Sequence, residues 1–123
     1  MKRALLGVAA CLLVLPNLVA AKDRTFSGEI MDSQCAAMGS HAGMMAKEGM
    51  AGKENDAMAK AMCAKNCVKM GGKYVLYDAT TKTVYQLDDQ SKPEQFAGQN
   101  VKITGTLDKA TKTIHVTNIE PGS

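Results

Sequence analysis

Three cysteines and a histidine are the residues of this chain whose types and spacing can do chemistry. Cys35 and His41 stand in "MDSQCAAMGSHAGMM", and Cys63 and Cys67 in "AMCAKNC". Cys63 and Cys67 are four apart, so on a helix they lie one turn above the other. Two thiolates placed so can grip one metal ion, as two histidines do in a helical H-x-x-x-H. Cys35 follows Asp32 and Ser33, either of which can cap a helical turn, and a cysteine in a first turn has a lowered pKa. Cys35, Cys63 and Cys67 can thus supply three sulfur ligands, with His41 as the fourth of a tetrahedral site. The spacing, C-x27-C-x3-C, is not the paired C-x2-C of common zinc knuckles.

The competing chemistry is a staple. One disulfide from Cys35 to Cys63 or Cys67 would close a loop of ~30 residues and stabilise a small domain by about 3–4 kcal/mol. A bridge between Cys63 and Cys67, within one helix, would constrain almost nothing. The disulfide is the first expectation and the metal site the second. Redox catalysis comes third, because C-x3-C is not the C-x-x-C redox motif. Met38, Met44, Met45 and Met50 flank His41, and soft thioether and thiolate ligands suit Cu(I). The plainer reading of the methionines is packing, with Met58 and Met62 set against the β-domain at helical spacing.

The compartment follows from the N-terminus. Lys2 and Arg3 precede an apolar run from Ala4 to Leu15, and Val19 and Ala21 fit the −3 and −1 positions of a signal-peptidase site. Residues 1–21 are therefore expected to be a cleaved signal, with a periplasmic or secreted domain over 22–123. Cys11 leaves with the signal, and three cysteines remain where disulfides persist. Loss of Lys2 and Arg3 leaves 13 basic side chains against 12 acidic ones, a net charge of +1. That balance argues against nucleic-acid and anionic-membrane partners. Phe26, Tyr74, Tyr77, Tyr85 and Phe96 are too few, and too little interleaved with basic residues, to stack bases. No phosphate loop, nucleophile elbow or H-E-x-x-H occurs. Asp88 and Asp89 read as turn residues, and His115 as a solvated strand residue.

The elements that must position the thiols fall into three parts. "RTFSGEIMD" alternates as a half-buried strand. Residues 73–120 read as four more strands, "KYVLYD", "TVYQLD", "NVKITGTLD" and "TIHVTNIE", with Gly105 marking a bulge or tight bend. "DQSKPEQFAGQ" between the third and fourth is a short helix, capped by Ser91, with Pro93 in its first turn and Gly98 at its end. Residues 32–72 form an insertion rich in Ala, Gly, Met and Lys, a composition that favours helix. Asn55 or Asp56 should cap a helix running to Val68 or Met70, stopped by "GG" at 71 and 72. Ala57, Ala61, Ala64 and Val68 would be its buried stripe. Residues 39–53, with four glycines, should be looser. The fold expected is mainly β: a five-stranded OB-like barrel with a helical Cys/Met-rich insertion between strands 1 and 2 and a short helix between strands 3 and 4.

"GEIMDSQC", "CAKNCVKMGGKYVLYD" and "KPEQFAGQNVKITGTLD" resemble an uncharacterised family of short exported bacterial proteins, a domain of unknown function. Its pattern is D-S-x-C, a variable stretch often holding His, C-x3-C and then "KYVL". Asp32, Ser33, Cys35, His41, Cys63 and Cys67 match those positions. Methionine enrichment is not part of it. The resemblance implies an OB-like barrel, a cysteine-bearing insertion after the first strand, and export. It implies no activity. The functional expectation is a non-enzymatic exported binding module with a disulfide-stapled insertion. The alternatives are a periplasmic zinc or copper protein and a thiol redox protein.

Overall fold

The computed structural model describes residues 22–122. The expected signal segment, 1–21, lies outside the described residues. Five strands carry the fold: β1 (Arg24–Asp32), β2 (Tyr74–Asp78), β3 (Thr83–Leu87), β4 (Asn100–Asp108) and β5 (Thr113–Pro121). They form one sheet in the order β1-β2-β3-β5-β4, which closes on itself. Its β3–β5 seam is parallel, with Gln86 opposite Thr113 and Leu87 opposite Ile114. Each of the five strands thus has a neighbour on both sides, although the β3–β5 seam is only two residue pairs long.

β1 holds the ring together by pairing twice. Its first part runs antiparallel to β4, from Arg24 opposite Gly105 to Glu29 opposite Asn100. Its last part pairs with β2, from Glu29 opposite Tyr77 to Asp32 opposite Tyr74. β4 slips register against β5 between Thr104 and Gly105. A β-carbon at Gly105 would strike the His115 carbonyl, so the expected bulge sits where the two backbones approach most closely. The short element between β3 and β4 is a 3-10 turn, Pro93–Phe96. Ser91 does not cap it. The Asp89 carboxylate accepts from the backbone N–H groups of Ser91 and Lys92 instead.

Alternation of β1, β4 and β5 fills the ring with Phe26, Ile30, Val101, Ile103, Ile114 and Ile119, joined by Tyr74, Leu76 and Leu87. A second core lies outside the ring. Met31 and Val75 project outward from β1 and β2 and are covered by the insertion.

That insertion folds as three helices: α1 (Ser33–Met38), α2 (Ala42–Lys47) and α3 (Ala57–Lys69). Asp32 caps α1, accepting from the N–H groups of Gln34 and Cys35, and Asp56 caps α3 through the N–H of Ala59. Gly71, at φ +107°, ends α3 in the left-handed region that favours glycine. The buried face of α3 is Ala59, Cys63, Ala64 and Cys67, so the stripe expected at Ala57, Ala61, Ala64 and Val68 is rotated. Met58 (74% exposed) and Met62 (51%) face solvent rather than the sheet. The reason is geometric: α3 covers the outward Met31 and Val75 with its cysteine side, which turns the methionines away. Within 39–53, the six-residue α2 buries Met45 in the same core. No helix among the described residues is long and apolar enough to cross a membrane.

Candidate metal centre

Each thiol reaches the second core from a different place in the chain. β1 ends at Asp32, whose N-cap role starts α1 and sets Cys35 in the first turn. The helical repeat of α3 then places Cys63 and Cys67 on its inner face. Asp32, Cys35, Cys63 and Cys67 are all fully buried. One ligand atom from each lies within 4.8 Å of the others. Cys35 Sγ and Cys63 Sγ are 3.9 Å apart. Four sulfurs at the Zn–S distance of ~2.3 Å would stand about 3.8 Å apart along the edges of a tetrahedron. The sulfur separation therefore suits two ligands of one ion.

The chemistry of Asp32 points the same way. Its Oδ2 accepts two backbone N–H groups at 3.0 Å. Its Oδ1 is buried and has no hydrogen-bond partner. An unpaired buried carboxylate oxygen costs about 1–3 kcal/mol or more. A cation among three sulfurs offsets that cost directly. Three sulfurs and one carboxylate oxygen suit a borderline ion such as Zn²⁺, whereas Ca²⁺ and Mg²⁺ want oxygen ligands.

The thiols are held as neutral S–H groups. Burial pushes the Cys35 thiol far above its ordinary range, and the Asp32 carboxylate beside it adds to the rise. Cys67 is pushed up to about 12, by burial first and then by the charges of Asp32 and Cys63. Burial also raises Cys63, opposed by hydrogen bonds from Cys35 and Cys67 that favour its thiolate. The lowered Cys35 pKa expected from its helical turn is thus reversed. α1 is only six residues long, its cap is an anion, and the site is fully buried. A bound cation inverts this balance, because a coordinating thiol deprotonates.

No disulfide joins the three cysteines, which are free thiols. The 3.9 Å between Cys35 and Cys63 compares with ~2.05 Å for an S–S bond. His41 is not among the four clustered residues. Gly39, at φ +77°, ends α1 and turns the chain, and His41 then meets β1. Its Nε2 lies 2.7 Å from Glu29 Oε2, and Lys60 Nζ donates to Glu29 Oε1 at 2.6 Å. An ionised carboxylate only accepts, so His41 donates from Nε2, and its buried Nδ1 has no partner. Burial raises the Glu29 pKa, but the hydrogen bonds from His41 and Lys60 and the Lys60 charge outweigh it and hold the carboxyl below its usual range. These three residues line a groove of about 670 Å³ that also reaches Met31 and Tyr77.

Of the methionines read as copper donors, only Met45 is fully buried against the cysteines. Met44 and Met50 are partly buried there, and Met38 is exposed. His115 is exposed, as expected, with its Nδ1 3.2 Å from Asp88 Oδ2. Asp89 accepts from the turn N–H groups of Ser91 and Lys92, and Asp88 from the N–H of Val116 within β5. Sequence reasoning gave Asp32 a capping role only. The signal for its second role was present, since a carboxylate that caps the turn carrying Cys35 must lie beside that thiol. Glu29 left no comparable signal.

Residues 68–122 match the model of a family described as a protein of unknown function (DUF5818). The match runs from the end of α3 through β5, and that part of the chain is similar to an uncharacterised family. All four clustered residues precede Val68, so it covers the strands and not the thiol site. No curated protein and no solved structure matches the chain.

Proposed function

We propose that this chain is an exported, non-enzymatic metal-binding module in which Asp32, Cys35, Cys63 and Cys67 hold one zinc ion on an OB-like barrel. The observation that carries the reading is the convergence of four buried donors around an unpartnered carboxylate oxygen. The closed order β1-β2-β3-β5-β4, with a short helical turn between β3 and β4, supports an OB-like scaffold. Copper is the second reading, favoured by Met31 and Met45 in the same buried core as the three cysteines. The hard carboxylate oxygen of Asp32 weighs toward zinc, because Cu(I) prefers sulfur alone.

The test is elemental analysis and metal titration of purified full-length protein. One zinc per chain is expected. Asp32→Asn keeps the helix cap, since asparagine caps as well as aspartate, but removes the anionic ligand. It should weaken zinc binding by roughly 10- to 100-fold or more, given that even outer-shell changes cost that much. Unchanged zinc affinity in Asp32→Asn, or a parent protein that binds no zinc, would falsify the reading.

A further inference from the structure

We infer that oxidation of Cys35 and Cys63 to a disulfide ejects the metal, so that the centre is a redox-released site. The inference rests on the metal reading above and concerns its regulation. Two of the proposed ligands are already at the separation from which a bond can close. Cys35 Sγ and Cys63 Sγ are in side-chain contact at 3.9 Å. They come from different helices, so modest side-chain rotation can bring the sulfurs together. Cys67 shares the rigid α3 with Cys63, one turn away, and is left as the odd thiol. The bond and the metal exclude one another. A disulfide sulfur is a poor ligand, and its loss at two of four positions leaves only Asp32 and Cys67, too few for a tetrahedral ion.

The electron count closes with a peroxide as oxidant. Two metal-bound thiolates give up one electron each and form the S–S bond. The peroxide O–O bond takes both electrons and breaks, its two oxygens leave as hydroxide and take one proton each from solvent to become water, and the ion departs with its charge unchanged. In steps, one sulfur attacks a peroxide oxygen to give a sulfenic acid, and the second sulfur displaces its hydroxyl. The 670 Å³ groove is lined in part by Met31, which packs in the same buried cluster as the three cysteines.

The experiment uses the full-length zinc-loaded protein, hydrogen peroxide and a metal-sensing dye. Zinc release should track the loss of two thiols per chain, peptide mapping should find Cys35 joined to Cys63, and a dithiol reductant should restore binding. Reversal by the dithiol separates this step from oxidation of the exposed methionines, which it does not repair. Cys67→Ser should still form the bond, because the reacting pair is intact. Zinc retained under peroxide, or a map showing Cys63 joined to Cys67, overturns the inference and leaves the metal reading standing. A protein that holds no zinc before peroxide is added overturns both.

Discussion

At the scale of single residues, the buried Asp32 and the half-buried Glu29 of β1 do different work although they are three positions apart. Asp32 has one oxygen committed to a helix cap and one without a partner. Glu29 has both oxygens used, one by His41 and one by Lys60, so it ties α2 and α3 back to the sheet. His41 is thus engaged with Glu29 and stands outside the four clustered donors. His41→Ala should therefore lower stability and leave zinc affinity unchanged in titration, and a loss of affinity as large as that of Asp32→Asn would return His41 to the ligand set. Glu29 also predicts a pH response. Its folded pKa is depressed, so its stabilisation is present above the unfolded value of about 4.3 and is lost as pH falls through the folded pKa. Glu29→Gln leaves Lys60 without its anion and should cost about 1–3 kcal/mol at neutral pH. It should also flatten the acid limb of a urea-melt series below about pH 4. An acid limb as steep as the parent's would show that Glu29 is not the group titrating.

At the scale of elements, one glycine decides how α3 sits. Gly98 follows the short turn before β4 at φ +75°, and its N–H bonds to the Ile30 carbonyl at 2.8 Å. A β-carbon there would stand 2.6 Å from the Ala61 nitrogen and 2.7 Å from the Lys60 carbonyl carbon. Backbone of α3 therefore rests directly on Gly98. Gly98→Ala adds left-handed strain to a backbone clash and should destabilise by about 2–4 kcal/mol. Amide exchange should accelerate in α3 more than in β4, and a melting temperature equal to the parent's would refute the contact. The strands were legible in the sequence because period-two alternation reports a ring that is apolar inside and wet outside. The bulge at Gly105 and the cap at Asp56 were legible for equally local reasons. The rotation of α3 was not. Ala57, Ala61, Ala64 and Val68 make as good an apolar stripe as Ala59, Cys63, Ala64 and Cys67, and only the outward Met31 and Val75 break the tie. The same rotation exposes Met58 and Met62, which propensity alone assigned to packing. The direction of His41 toward Glu29 depends on the turn at Gly39, which spacing does not encode.

At the scale of the whole molecule, the domain is small and its apolar interior is split between the ring and the patch beneath the insertion. The second patch contains three cysteines and two alanines, side chains that bury little area, so its transfer free energy at ~25 cal/mol per Å² is modest. Small domains in this position commonly rely on a cross-link or a metal. Here the four donors join the end of β1, the first turn of α1 and two turns of α3, so one ion would pin both ends of the insertion to the sheet. Binding to the folded state alone would stabilise it by about 4 kcal/mol with free zinc at a thousand times the dissociation constant. For a domain of this length each kcal/mol moves Tm by roughly 4–8 °C. Chelation should therefore lower Tm by well over 10 °C. The loss should be uneven: α1 and α3 amides should lose exchange protection first, while β4, paired on both sides by β1 and β5, keeps its own. Coordination releases thiol protons, so the zinc-dependent part of Tm should shrink as pH falls. Chelated and zinc-loaded protein melting at the same temperature, with the same protection in α3, would mean that the insertion is held by packing alone and that the four donors contribute nothing to the fold.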